Sequence, residues 1–143
     1  MAILGCAGAQ ANQVREEALA STRAALALAR ERSDMISTES EAQALWTETL
    51  LSLDRAAVAL AECEGRVDDC LVAGLGQLLD TDRQLLLLEQ RNGVIGGCDF
   101  GDLQEHTRKA ANLLYVYFYG ERAAEREEWR GPPTPRPPGV CPG

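Results

Sequence analysis

Apolar residues recur at intervals of three and four positions along most of this chain, which is the spacing of one face of an α-helix. The pattern predicts four helical segments, over about residues 12–32, 39–64, 69–90 and 102–129. It is clearest in the second segment, where one apolar stripe consists of Ala42, Trp46, Leu50, Leu53, Ala57 and Leu60. Such a stripe must be buried against another element, so we expect the segments to pack together.

Short polar or glycine-rich stretches separate these segments, and two of them contain helix-start signals. Thr38 with Glu41, and Asp102 with Glu105, have the spacing of a capping box, in which two side chains bond otherwise unpaired backbone N–H groups. Helices of similar length joined by short connections are typical of an antiparallel up-down bundle. We therefore predict an all-α four-helix bundle, with a local strand over residues 113–119 as the alternative for that stretch.

The two ends of the chain differ from this helical region. Residues 131–143 read GPPTPRPPGVCPG, and proline at this density cannot continue a helix and favours an extended polyproline II conformation. We therefore expect three parts, which are an N-terminal leader or tether over residues 1–11, a bundle domain over residues 12–130 and an extended proline-rich tail over residues 131–143.

Composition excludes two classes of protein. A net charge of −8 lacks the basic surface that nucleic-acid-binding proteins present to phosphates, so we predict no nucleic-acid partner. No apolar run reaches the length of about 18 residues that a transmembrane helix requires. Lys109 is the only lysine among 14 basic residues, which together with abundant Ala, Arg, Gly and Pro indicates a GC-rich, bacterial genome.

Two titratable residues are candidates for chemistry inside the bundle. Asp82 falls on the leucine stripe of the third segment, and a buried carboxylate requires a partner or a raised pKa. We expect that partner to be Arg55 on the second segment. His106 is the only histidine, so the paired Glu-x-x-His motifs of a di-metal bundle are missing. We predict no catalytic residue, metal or cofactor, and keep a ligand or metal near Asp82 and His106 as a third hypothesis.

The five cysteines lack the closely spaced pairs of a structural zinc site. Cys63 ends the second segment and Cys70 begins the third, so an antiparallel hairpin would bring their Cα atoms within the range of about 4.4–6.8 Å that a disulfide tolerates. Cys98 lies in the third connection and Cys141 in the tail, and a bridge between them would hold the tail against the bundle. This pairing leaves Cys6 as the odd cysteine.

Cys6 follows directly on Ile3, Leu4 and Gly5. This stretch resembles the lipobox of bacterial lipoproteins, with Ile3 at the aliphatic position and Gly5 as the small residue before the cleaved bond. The resemblance implies lipidation of Cys6. Because no aspartate follows Cys6, it also implies retention at the outer membrane, on the periplasmic side. One lipidated cysteine leaves an even number for disulfides in an oxidising compartment.

Residues 113–119, LLYVYFY, are apolar on every side of a helix, and one helix of a bundle cannot bury them completely. We assign Ala110, Leu113 and Tyr117 to the bundle face. This leaves four residues for contact with a protein partner or a second copy, since aromatic residues are enriched at interfaces: Leu114, Tyr115, Phe118 and Tyr119. The competing account is that the proline-rich tail folds back and covers this surface.

Besides that third hypothesis, these observations lead to two main hypotheses about function. The first is a non-enzymatic helical lipoprotein that serves as a structural or accessory subunit of a bacterial envelope assembly. The second is a cytosolic helical interaction module, such as a scaffold, adaptor or regulatory subunit, in which the five cysteines are free thiols and behave as small apolar residues. Coding sequence for an apolar, Lys- or Arg-started run upstream of Met1 would favour the first.

Overall fold

A computed structural model describes residues 2–91, 93–94 and 100–125 of the chain. It contains four α-helices, α1 (Ala2–Glu31), α2 (Ser40–Ala61), α3 (Val67–Gln90) and α4 (Gly101–Tyr119), with short 3₁₀ turns at Ser33–Met35 and Gly120–Glu125. The predicted all-α four-helix arrangement is confirmed, and residues 113–119 are helical rather than a strand. The predicted proline-rich tail lies outside the described residues.

Hydrogen bonds between helix ends show that neighbouring helices run antiparallel. Arg15, in the first half of α1, donates to the carbonyl oxygen of Leu60 at the end of α2, over 2.8 Å. Tyr117, near the end of α4, donates its hydroxyl to Asp68 in the first turn of α3, over 2.7 Å. The part of α1 around Arg15, the turn between α2 and α3, and the end of α4 therefore lie together, and we call this the hairpin end of the bundle.

The opposite end of the bundle, which we call the connection end, is tied by ion pairs and one aromatic stack. Arg32 beside α1 forms a two-pronged ion pair with Asp102 in the first turn of α4. The rings of Trp46 and Phe100 stack with centroids 5.4 Å apart. Trp46 also donates its indole N–H to the hydroxyl of Ser33, over 3.2 Å. This end therefore joins residues from α2, α4 and the connection after α1.

The core is built from leucine and alanine rather than from aromatic residues. Each helix packs mainly against two neighbours, and α2 and α3 form the most extensive contact. At that contact a Cβ added to Gly74 would lie 2.9 Å from Leu60, so glycine allows the two helices to approach closely. The completely buried leucines come from α2, α3 and α4 and are Leu53, Leu60, Leu71, Leu78, Leu85, Leu88, Leu103 and Leu114.

Several predicted helix boundaries were wrong. α1 begins at Ala2 instead of about residue 12, so its helix includes the segment predicted as a leader. Neither capping box forms, because the residues before α2 and α4 are Glu39 and Phe100, and neither has a side-chain capping bond. Tertiary ion pairs take two of the carboxylates instead: Glu41 binds Arg91, and Asp102 lies inside the first turn of α4, where it binds Arg32.

The fourth helix ends ten residues earlier than predicted. Gly120 follows α4 with a φ of 57°, a left-handed conformation that glycine adopts without a steric penalty. The 3₁₀ turn of Gly120–Glu125 then continues the chain. Sequence periodicity did not reveal this end because the residues after Gly120 are good helix formers with alternating charges.

Candidate functional site

The hairpin end brings together most of the residues that the sequence singled out. Cys63 and Cys70 form a disulfide there, with Cα atoms 5.8 Å apart, inside the predicted range. The pair closes the turn between α2 and α3, and both side chains are half-buried. The antiparallel hairpin predicted from helical periodicity is therefore also the element that positions these two cysteines.

The other three cysteines are placed only in part. Cys6 belongs to α1, whose first residues point toward the hairpin end because Arg15 contacts the end of α2. Cys98 and Cys141 lie outside the described residues, so their predicted pairing remains a prediction.

The exposed part of the aromatic sequence differs from the prediction. Leu114 is completely buried and Tyr115 is only 4% exposed, so both belong to the core and not to a free surface. Tyr119 is 38% exposed and Val116 is 50% exposed. The bundle face of α4 follows Leu103, Thr107, Ala110, Ala111 and Leu114.

The wrong assignment of Leu114 and Tyr115 to an exposed surface comes from the choice of apolar stripe on α4. Extending the stripe backward from Leu114 to the small and polar residues Ala111, Ala110 and Thr107 would have given the observed face. We had expected Leu113 and Tyr117 to face the bundle, but both are only half-buried. Thr107 can enter the core because its hydroxyl donates to the carbonyl oxygen of Leu103, over 2.9 Å.

The rings at the end of α4 contact one another, and one of them is fixed by α3. Tyr117 packs edge-on against Phe118 with centroids 5.1 Å apart, and Tyr115 lies 5.9 Å from Tyr119. The hydrogen bond from Tyr117 to Asp68 raises the pKa of the phenol, because the carboxylate stabilises the protonated form. We call Val116, Tyr117, Phe118 and Tyr119 the aromatic patch; its exposed members, Val116 and Tyr119, lie one turn apart on the same face of α4.

The structure corrects the predicted partner of Asp82. This carboxylate, whose side chain is 7% exposed, accepts a hydrogen bond over 3.0 Å from Arg108 on α4. Arg55 is exposed to solvent. The sequence correctly indicated a buried acid that needs a cation, but it gave no information on which neighbouring helix faces Asp82.

A small pocket at the connection end was not anticipated from the sequence. It measures about 260 Å³, slightly below the range of about 300–1,000 Å³ that is usual for small-molecule sites. Its lining combines three charged residues, Glu39, Glu41 and Arg91, with the uncharged residues Ala42, Leu45, Leu88 and Gly93. A Cβ on Gly93 would come within 2.8 Å of the Leu88 side chain, so a larger residue there would displace part of the pocket lining.

His106 is half-buried on α4, one turn after Asp102. Among the described residues no group of three or more His, Cys, Asp or Glu side chains could hold a metal ion. None of the described helices carries an apolar stretch long enough to cross a membrane.

No protein-family model matches the chain, and no curated protein or solved structure matches it either.

Proposed function

We propose that this chain is a non-enzymatic helical lipoprotein, anchored through Cys6 to the periplasmic face of a bacterial outer membrane, where it serves as a structural or accessory subunit of an envelope assembly. The observation that supports this proposal is the Cys63–Cys70 disulfide, with Cα atoms 5.8 Å apart. Disulfides persist in the periplasm and are rare in the cytosol, where thiol reductants keep cysteines reduced.

The position of Cys6 fits an anchor. Cys6 lies near the start of α1, nine residues before Arg15, and α1 leaves the bundle toward the start of the chain at its hairpin end. Acyl chains at Cys6 would therefore hold the bundle by its hairpin end, with the connection end and its pocket directed away from the lipid. One acyl chain binds a membrane only marginally, whereas the several chains of a lipidated N-terminal cysteine give stable attachment.

The anchor is tested by metabolic labelling. The gene is expressed in its native host with an alkyne fatty acid, and the product is captured, fractionated and compared with the Cys6→Ser variant. We expect label and outer-membrane fractionation for the unchanged chain, and neither for Cys6→Ser. Cys63→Ser is the control, because it removes a cysteine and leaves the acceptor intact, so it should keep the label.

The compartment is tested by the redox state of the cysteines. Cells are quenched with acid, free thiols are alkylated, and the peptides that carry Cys63 and Cys70 are analysed by mass spectrometry. We expect both to be recovered as a linked pair. Recovery of both as alkylated thiols, together with an unlabelled protein, would reject the lipoprotein and favour the cytosolic interaction module.

A further inference from the structure

The aromatic patch of α4 leaves two apolar side chains exposed to solvent one helical turn apart. Val116 points away from the core and is 50% exposed, and Tyr119 beside it is 38% exposed. The rings are not loose, since Tyr117 is held by Asp68 and packs against Phe118. A set of rings with fixed orientation is a suitable surface for a rigid apolar ligand, because little side-chain entropy is lost when the ligand binds.

We propose that the chain's own residues 132–138, PPTPRPP, bind this patch in the polyproline II conformation and run back along α4. Five of these seven residues are proline. Polyproline II segments pack their rings against aromatic side chains, and their stiffness lowers the entropy cost of docking. The proposal concerns the chain by itself and is independent of the anchor at Cys6.

The connecting length allows this contact. Seven residue steps separate Glu125, the last described residue, from Pro132, and an extended chain of seven residues spans up to about 25 Å. The 3₁₀ turn between Tyr119 and Glu125 spans only about 12 Å at its rise of about 2 Å per residue. Pro132 can therefore return to the level of Tyr119 without any change in α4.

The length of the tail also matches the length of the helix along which it would run. α4 has 19 residues and is therefore about 28 Å long. Nine residue steps lead from Pro132 to Cys141, and at about 3.1 Å per residue they also cover about 28 Å. A segment that begins beside Tyr119 would thus bring Cys141 to the level of Phe100, close in sequence to Cys98. The predicted Cys98–Cys141 pairing and the proposed path of the tail therefore agree.

The direct test is NMR spectroscopy on the full chain. Nuclear Overhauser effects are expected between the ring protons of Tyr119 and the Hδ protons of prolines in residues 132–138. Light scattering on the same sample should give the monomer mass at all concentrations. Absence of these ring–proline contacts overturns the proposal, and so does a mass that rises with concentration through contacts at Tyr119, because a second copy would then occupy the patch.

A set of substitutions in the full chain gives an independent measurement. Replacing the five prolines of residues 132–138 with serine should accelerate amide hydrogen exchange at residues 116–119 by about tenfold, since the covering segment is lost. Pro142→Ser is the matched control and should leave exchange unchanged. Equal exchange in both variants contradicts the proposal. Helix content and Trp46 fluorescence show whether each variant is folded. If the variant with five serines is not folded, the NMR contacts between Tyr119 and the prolines of the unchanged chain test the proposal instead.

Discussion

The buried threonine hydroxyls inside this bundle are satisfied by nearby protein groups. The hydroxyls of the buried threonines donate to carbonyl oxygens one turn earlier on their own helices, and Ser52 and Thr81 also contact each other across α2 and α3 over 2.6 Å. The side-chain oxygen of Gln84 lies 3.1 Å from the same Ser52 hydroxyl and is an alternative acceptor for its proton. Threonine and serine can therefore occupy core positions without an unpaired hydroxyl. The threonines that bond in this way are Thr22, Thr49, Thr81 and Thr107.

The Asp82–Arg108 pair should be the most important ion pair for stability. Asp82→Ala removes the carboxylate that pairs with Arg108, whose side chain is 23% exposed to solvent. We expect a loss of about 2–3 kcal/mol in the free energy of unfolding, between the values for exposed and for fully buried pairs. Asp80→Ala is the control, because its pair with Arg83 is exposed, and it should cost less than about 0.5 kcal/mol.

A double-mutant cycle in urea checks this prediction. Asp82→Ala and Arg108→Met together should cost less than the sum of the two single changes, because neither charge is then left alone. Additive costs within about 0.3 kcal/mol would show that the two side chains do not interact in solution.

Asp102 should make stability depend on pH at the acid side. The hydrogen bond from Arg32 lowers the pKa of this carboxyl below its ordinary value of 3.8. Because the folded-state pKa lies below the unfolded-state value, the pair contributes stability above about pH 4 and loses it as the pH falls through the folded-state pKa. Asp102→Asn should therefore be less stable than the unchanged chain at pH 7, and this difference should shrink at low pH.

Urea unfolding at pH 7 and again near pH 2.5 measures the effect. Asp54→Asn is the control, since Asp54 lies 3.8 Å from Arg30 with both side chains more than half exposed. We expect little difference for this control at either pH. An Asp102→Asn deficit that is equally large at both pH values would mean that its cause is not ionisation.

At the scale of elements, close packing of α2 against α3 depends on one glycine. α3 contains Gly74 and Gly76, two residues apart and therefore on different faces of the helix. A Cβ at Gly76 would meet nothing within 4 Å, whereas a Cβ at Gly74 would meet the buried side chain of Leu60 at 2.9 Å. The two positions form a matched pair for separating helix propensity from packing.

Alanine at these two positions should have different effects on the free energy of unfolding. Gly76→Ala should raise it by about 0.5–1 kcal/mol, because alanine has less backbone entropy to lose in a helix. Gly74→Ala has the same gain but forces Leu60 to shift, at a cost of about 1–3 kcal/mol for overpacking. The free energy of unfolding of Gly74→Ala should therefore be at least about 1 kcal/mol lower than that of Gly76→Ala, as measured by thermal or urea unfolding. Equal values would mean that Leu60 moves aside freely.

The helices themselves were largely predictable, whereas their contacts were not. The stripe from Ala42 to Leu60 placed α2 within a few residues, because apolar spacing is a local property. The partner of Asp82 and the buried face of α4 depend on which helices are neighbours, and neither follows from spacing within one helix. The capping boxes failed for the same reason, since Arg32 and Arg91 are distant in sequence from the carboxylates that they bind.

For the whole molecule, the two ends of the bundle are held by different means but share one core. The hairpin end has the Cys63–Cys70 disulfide, and the connection end has the Trp46–Phe100 stack. Between them the buried leucines and alanines of all four helices form a single cluster. A continuous core means that no helix pair can be exposed without uncovering its neighbours, so the bundle should unfold in one step.

Trp46 gives a probe for that expectation. The sequence contains two tryptophans, so Trp129→Phe leaves Trp46 as the only one. Trp46 is 4% exposed and contacts Ser33 and Phe100 at the connection end, so its emission should shift to longer wavelength only when that end opens. We expect the urea midpoint from Trp46 fluorescence to coincide with the midpoint from circular dichroism at 222 nm, which reports helix throughout the chain.

Phe100→Ala should lower both midpoints together, because it removes a completely buried ring at a cost of about 3–5 kcal/mol. A fluorescence transition that ends while most of the helical signal remains would instead show that the connection end opens alone, leaving the disulfide-linked α2–α3 hairpin as a separate folding unit.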